Sequence, residues 1–336
     1  MASILILLLG FLVSGGIGAG AYFSPALTTA LGVFHSGPVT LISGATPPPP
    51  PLVGAVAAGA PFTILLLGSD NDQKFATVDG APVDPSATLT QSMILVRVQP
   101  ATKQVTMLSI PRDLYVPFSL GGTSKIDEVH ALPGGGDKAS IDTVEMNFHI
   151  HIDYYIWIGL QGLISVIDKV GGIDVVTTNP VLDDAYPADL VGNNPYGFQR
   201  VAVLPGPQHM TGYQAMEYVR SRHSDARGDF GRSQRQQEVL LALRAKAKYL
   251  NATDIPDLAS AFAGQLTTDM SITQVRELLP LAGSLSPSGI KQVTLVGGDA
   301  QLGSYTTAQV TSAGADVLIP NWSAILPLVH QDFPVA

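Results

Sequence analysis

The chain has 336 residues, a formal net charge of −9 and no cysteine. An acidic balance argues against general nucleic-acid binding, which needs a broad basic surface, and the lack of thiols excludes disulfides and thiolate metal centres. With 46% hydrophobic and only 13% charged residues, there is ample material for a sizeable core.

No Asp, Glu, Lys or Arg precedes Asp70. Within that stretch, residues 2–23 (ASILILLLGFLVSGGIGAGAYF) match the length of a bilayer span, so residues 1–24 are predicted to be a transmembrane helix that anchors the chain. A cleaved signal peptide is the alternative, because GAGA offers small residues for a cleavage site. Residues 25–61 are rich in Pro, Gly and Ala, and the prolines at 47–51 read as a stiff, extended spacer. Residues 62–336 are predicted to form one α/β domain.

In that domain FTILLLG is a continuous apolar run ending in Gly, the pattern of a buried central strand with a functional loop, SDND, at its end. SMILVRVQPATKQVTMLSIPRD gives two β-rich runs around QPATK, a hairpin, and Pro111 leaves Arg112 and Asp113 at the tip of the second strand. Residues 139–148 read as a helix and DYYIWIG as a strand. LQGLISVIDKV has helical spacing and stops at Gly171 and Gly172, and GIDVVTT is again a strand. Residues 179–203 are expected to be a long loop. Thr211 and Gln214 have the spacing of a capping box that starts a helix ending near Arg220, and a second helix follows from about 230 to 249. Two helical patches (258–262 and 272–281), a strand KQVTLVG and an apolar segment around Trp322 close the chain. Alternating strands and helices with one hairpin predict a mixed central sheet covered by helices on both faces.

The stretch RSRHSDARGDFGRSQRQQ, residues 220–237, holds five of the chain's 18 basic residues. Arg220 and Arg222 are two apart and project to one side of an extended segment. Asp229 is placed to cap the next helix, which would put Arg232 in its first turn, where free N–H groups favour an anion. Arg232, Arg235 and Gln236 are spaced i, i+3 and i+4 on one surface, with Val239, Leu240 and Leu243 anchoring the helix. Converging guanidiniums suit a diphosphate, or a phosphate on which charge develops. A salt-bridge network with Asp225, Asp229 and Glu238 is the plain structural alternative.

The segments ILLLGSD, SMILVRVQPATKQVTMLSIPRDLYV, KIDEVHA, DYYIWIGLQGLISVIDKVGGIDV, LPGPQHMTGYQAMEYVRSR and GDFGRSQRQQEVL, in this order over residues 62–243, resemble the LytR–CpsA–Psr family. The resemblance implies a membrane-anchored, extracytoplasmic phosphotransferase. Such an enzyme moves a glycopolymer (teichoic acid, capsule or arabinogalactan) from a polyprenyl-pyrophosphate carrier to the muramic acid 6-hydroxyl of peptidoglycan. It implies catalytic roles for Arg112, Arg222 and Arg232, with Arg220, Gln236 and Lys125 as further phosphate contacts. It implies Mg2+ at Asp70 and at a second carboxylate, whose place is taken here by Gln91, with Leu89 two residues earlier. A Gln carbonyl is a weaker magnesium ligand, and Asp79 or Asp84 is a possible substitute. KID stands where the resemblance expects Lys-Ile-Asn. Asp113 and Asp229 are candidate bases, and residues 150–170 offer either an apolar tunnel for the lipid or ordinary core. Lipid-pyrophosphate reception without transfer, and pyrophosphate hydrolysis, are the competing functions.

Overall fold

The computed structural model describes residues 60–69, 77–78, 81–82, 89–188, 197–221, 228–247, 266–270, 274, 278, 281–282, 284–295 and 305–335. The expected anchor, the spacer up to residue 59 and the helical patch at 258–262 lie outside these residues. No described helix is long and apolar enough to cross a membrane.

Strand β1 (Phe62–Ser69) is followed by a small hairpin, β2 (Thr77–Val78) and β3 (Ala81–Pro82), and then by β4 (Thr90–Gln99), β5 (Gln104–Ile110), β6 (Tyr115–Pro117) and β7 (Thr123–Lys125). A 3-10 turn, Ile126–Ala131, leads into helix α1 (Asp137–Phe148), strand β8 (Tyr154–Ile158) and helix α2 (Leu160–Lys169). Next come β9 (Ile173–Thr177), β10 (Val181–Pro187), β11 (Phe198–Val203), β12 (Gly206–Met210), α3 (Gly212–Arg220) and α4 (Gly228–Ala247). Strands β13 (Leu266–Thr268), β14 (Ile290–Thr294), β15 (Thr306–Val310) and β16 (Asp316–Pro320) precede the last helix, α5 (Trp322–Val329).

Among the described residues, six strands form the central sheet in the order β13–β8–β1–β4–β5–β14. β1 runs antiparallel to β4 and parallel to β8, so the sheet is mixed, as expected. The hairpin between β4 and β5 turns with Lys103 in the left-handed region, at φ 54°. Leu65 and Leu67 of β1 pack with Val144 and Phe148 of α1 and Ile325 of α5, whereas Phe62, Ile64 and Leu66 pack with Leu240 and Leu241 of α4. Cover on both faces is why the run is continuously apolar rather than alternating. Each fully buried side chain of this kind contributes roughly 1.5–3 kcal/mol.

Helix α2 ends as its glycines predict. Gly171 N donates to Asp168 O and Gly172 N to Ile167 O at 2.9 Å, with both glycines at positive φ, which is the Schellman arrangement. Helix α3 opens with the expected capping box: Gln214 N donates to Thr211 Oγ1 at 3.3 Å and Thr211 N to Gln214 Oε1 at 3.0 Å. Thr211→Ala is expected to cost about 1 kcal/mol, read as a lower urea midpoint with an unchanged slope. The two helices meet at Gly212, where an added Cβ would lie 2.1 Å from the Ile164 carbonyl oxygen.

Residues 179–203, expected as a loop, instead contain the antiparallel pair β10 and β11, with Val181, Tyr186 and Val201 buried. A register shift between Asp183 and Tyr186 breaks the alternation that would have marked the strand. The segment around Trp322 is α5, and its Trp322 ring meets Phe148 edge-on at 5.3 Å. In the patch at 272–281, Gln274, Leu278 and Leu281 are helical.

Candidate active site

The site grows from a fault in the sheet. Gly68 pairs with Ser92 but Ser69 pairs with Thr90, so Gln91 is the extra residue of a β-bulge at the end of β1. Neighbours on a regular strand face opposite ways, yet Gln91 and Ser92 both border one cavity. Gln91 Oε1 accepts a hydrogen bond from Arg112 Nη1. Ser92 Oγ donates to Gln236 Oε1 at 2.9 Å, tying α4 to the sheet.

Arg112 is presented by the turn after β5, which closes when Leu114 N donates to Pro111 O at 3.1 Å. Asp113 Oδ1 accepts from Lys125 Nζ at 2.7 Å, and its Oδ2 lies 3.4 Å from Arg112 Nε. Lys125, expected as a phosphate contact, thus joins Arg112 at the site. Asp113, a candidate base in the sequence, has both oxygens facing cations and acts as their brace.

The cavity holds about 300 Å³. Ile156, Leu160, Leu163 and Val166 from the 150–170 segment line it, together with Leu240 and Leu243 of α4. The same segment also supplies plain core, since Ile150, Trp157 and Ile167 are fully buried. Val239, Leu240 and Leu243, expected only as anchors, therefore also form a wall. The polar lining is Ser69, Gln91, Ser92, Arg220 and Gln236. Arg220 ends α3 with its guanidinium 5.8 Å from the centre of the Tyr186 ring, and its buried Nη1 has no hydrogen-bond partner among the described residues. Burial pushes the Tyr186 hydroxyl up to about 12, so it stays a proton donor beside that cation.

The arginines of α4 divide. Arg232 is 6% exposed, one helical turn before Gln236. Arg235, grouped with them by spacing, is turned away. Its Nε donates to Tyr218 O at 2.7 Å and its Nη2 to Ser221 O, satisfying carbonyls at the end of α3. Arg235 is a latch between helices. α4 begins at Gly228, so Asp229 is its second residue rather than its cap, and Arg232 lies beyond the first four residues. Arg222, Asp70, Asp79, Asp84 and the Asp229 side chain lie outside the described residues.

Magnesium is implied at Asp70 and Gln91. The oxygen of Gln91 already accepts from a guanidinium, and the described residues contain no group of three or more His, Asp or Glu able to hold a metal. Gln91 therefore braces Arg112, and its neutral amide brings no negative charge to a cation. An aspartate there would keep one oxygen for Arg112 and free the other. Magnesium titration by calorimetry should accordingly show weak binding to the ligand-free protein and tighter binding to Gln91→Asp. Equal affinities would mean that another carboxylate already serves.

Asp127 was overlooked. It is 3% exposed, and its Oδ1 has no hydrogen-bond partner among the described residues. Burial pushes its carboxyl up to about 7; Arg112 opposes that shift, and Asp113 adds to it. The available signal was one letter, an acid in KID where the resemblance expects an amide.

The chain matches the LytR_cpsA_psr family over residues 48–318. It belongs to that family. This LytR_cpsA_psr chain is 30% identical over 251 residues to the polyisoprenyl-teichoic acid–peptidoglycan teichoic acid transferase TagV of Bacillus subtilis (strain 168). The match covers 74% of this chain and 59% of TagV, less than two thirds of that relative's length. The fold is similar to that of gbs0355 from Streptococcus agalactiae, with a TM-score of 0.65 and 28% identity, over 83% of this chain and 88% of that one. It is also similar to TagT bound to LI-WTA, with a TM-score of 0.59 and 25% identity, over 82% and 91% of the two chains.

Proposed function

We propose that this domain transfers a glycopolymer from a polyprenyl-pyrophosphate carrier to peptidoglycan, forming a phosphodiester at a muramic acid 6-hydroxyl. One observation carries the reading: an apolar cavity whose few polar walls include Arg220, whose Nη1 has no partner among the described residues, and the amide that holds Arg112. That combination suits an amphiphile with a long hydrocarbon and a compact anionic head. The family membership and the name of TagV support it. The domain then works outside the cell beside the membrane that holds the carrier, tethered by residues 1–24.

In the reaction, the acceptor oxygen forms a bond to the glycan-linked phosphorus, and the bridging P–O bond of the pyrophosphate breaks. Polyprenyl phosphate leaves and the hydroxyl proton is released. Charge develops on the transferring and departing phosphates, so fixed guanidiniums lower the barrier without reorganising. Arg112 and Arg220 would meet the two phosphates, with Arg222 and Arg232 completing the cluster and Lys125 holding Asp113 and thereby Arg112.

The braced Gln91 favours a second reading, in which lipid pyrophosphate is bound without turnover. Mass spectrometry of peptidoglycan fragments from cells with and without the protein separates the two. Loss of a phosphodiester-linked glycan in its absence is the expected result. An unchanged profile would favour reception, and free glycan phosphate would favour hydrolysis.

A further inference from the structure

The buried carboxyl of Asp127 is unexplained by phosphate binding alone. A carboxyl oxygen shut away from water without a hydrogen bond is costly, and such groups gather where a protein uses them. Asp127 is also clasped to the site by its backbone. Its N–H donates to Arg112 O at 3.3 Å, and its carbonyl accepts from Thr90 Oγ1 at 3.3 Å, next to Gln91. Every movement of the Arg112 turn is therefore felt at Asp127.

The charges around it come from three directions. Arg112 and Asp113 act on it from the turn after β5, Lys125 from β7, and Glu128 from its own 3-10 turn. β4 contributes the neutral Thr90. From α1, Asp137 is engaged with His130 at 3.0 Å. The arrangement is close to balance: two cations against two further carboxylates, with burial weighing against ionisation. A diphosphate arriving at Arg112 would add negative charge and tip that balance.

We propose that Asp127 is a positioning carboxyl that takes up a proton when a pyrophosphate binds at Arg112, so that phosphate binding and protonation are linked. This rests on the pyrophosphate reading of the site. The sign follows directly. Ionised Asp127 repels the incoming anion and competes for Arg112; protonated Asp127 does neither. In the free protein the carboxyl titrates at about 7, and a bound pyrophosphate moves it higher. Affinity is then full below that pH and falls as pH rises, by up to about tenfold per unit between the free and bound values. Near neutral pH binding therefore takes up a fraction of a proton per site.

The probe is a short-chain prenyl-pyrophosphoryl sugar, whose diester pyrophosphate has no group titrating near neutrality. Calorimetry in buffers of different ionisation heat, from pH 6 to 8, reads both affinity and proton uptake. Wild type should bind more weakly at higher pH and take up protons. Asp127→Asn should bind with pH-independent affinity close to the wild-type value at low pH, and with no uptake. Asp127→Ser serves if the asparagine variant does not fold. Wild-type binding with no proton uptake, or uptake that persists in the variant, overturns the inference and leaves the pyrophosphate reading standing. No binding by wild type at any pH overturns both.

Discussion

Arg112→Ala is expected to lower glycopolymer transfer by about thirtyfold to several thousandfold while the domain remains folded. On the proposed reading the lost contact is a charge-assisted one to the pyrophosphate, which is worth roughly 2–5 kcal/mol. The fold should survive because Arg112 anchors its turn through backbone bonds: Leu114 N to Pro111 O, and Asp127 N to Arg112 O. Asp113 keeps Lys125 as its partner, and Gln91 is only half-buried, so water can replace the guanidinium. Arg112→Lys should recover part of the rate, since it restores charge but not the two-pronged geometry. Transfer is measured with a lipid-linked glycan and peptidoglycan fragments alongside a thermal melt. Full activity in a folded Arg112→Ala protein, with an active wild type, would falsify the role given to Arg112.

Gly212→Ala should destabilise the domain by about 3 kcal/mol or more, although it adds only a single methyl group. The new carbon would sit 2.1 Å from Ile164 O and 2.7 Å from the Ile164 Cα and carbonyl carbon. These are backbone atoms and cannot rotate aside, so α2 and α3 must separate. Separation would break the bond from Gly212 N to Asp168 Oδ1, 2.7 Å long, and loosen the contact of Leu160 and Ile164 with Met216 and Tyr186. A drop in melting temperature of roughly 6–12 °C is expected. A variant melting within about 2 °C of wild type would show that the helices slide apart freely. Because α2 also walls the cavity, the same variant should bind lipid pyrophosphate less well even below its melting point.

Elements with a local cause were legible in the sequence. The apolar run of β1, the QPATK hairpin, the glycine stop of α2 and the Thr211–Gln214 box each need only a few adjacent residues to declare themselves. β10 and β11 were not legible, because a slip between Asp183 and Tyr186 scrambles their alternation in a stretch rich in Asn, Asp and Pro. In the site, the motif singled out Arg112, Lys125, Arg220 and Gln236, which the fold brings to one region. It could not separate Arg235 from its neighbours, because helical spacing says which residues share a side but not what stands opposite. Likewise Leu163 and Ile167 are chemically alike, and only the packing around them leaves space beside one and none beside the other. Asp127 depended on burial, which no single residue reveals.

Helix α4 bears Leu240 and Leu243 on the wall of the cavity, Gln236 against Ser92, and Arg235 locked to the end of α3 beside Arg220. On the proposed reading, hydrocarbon and headgroup thus press on one rod. Neither can settle without setting the rod for the other, and by linkage the help must be equal in both directions. A prenyl chain too short to reach Leu243 would then forfeit more than its own missing methylenes, because its phosphates would meet a cluster whose α4 side, Arg232 and Gln236, lacks the support of the hydrocarbon. For this protein, chain length becomes part of how the charge is read.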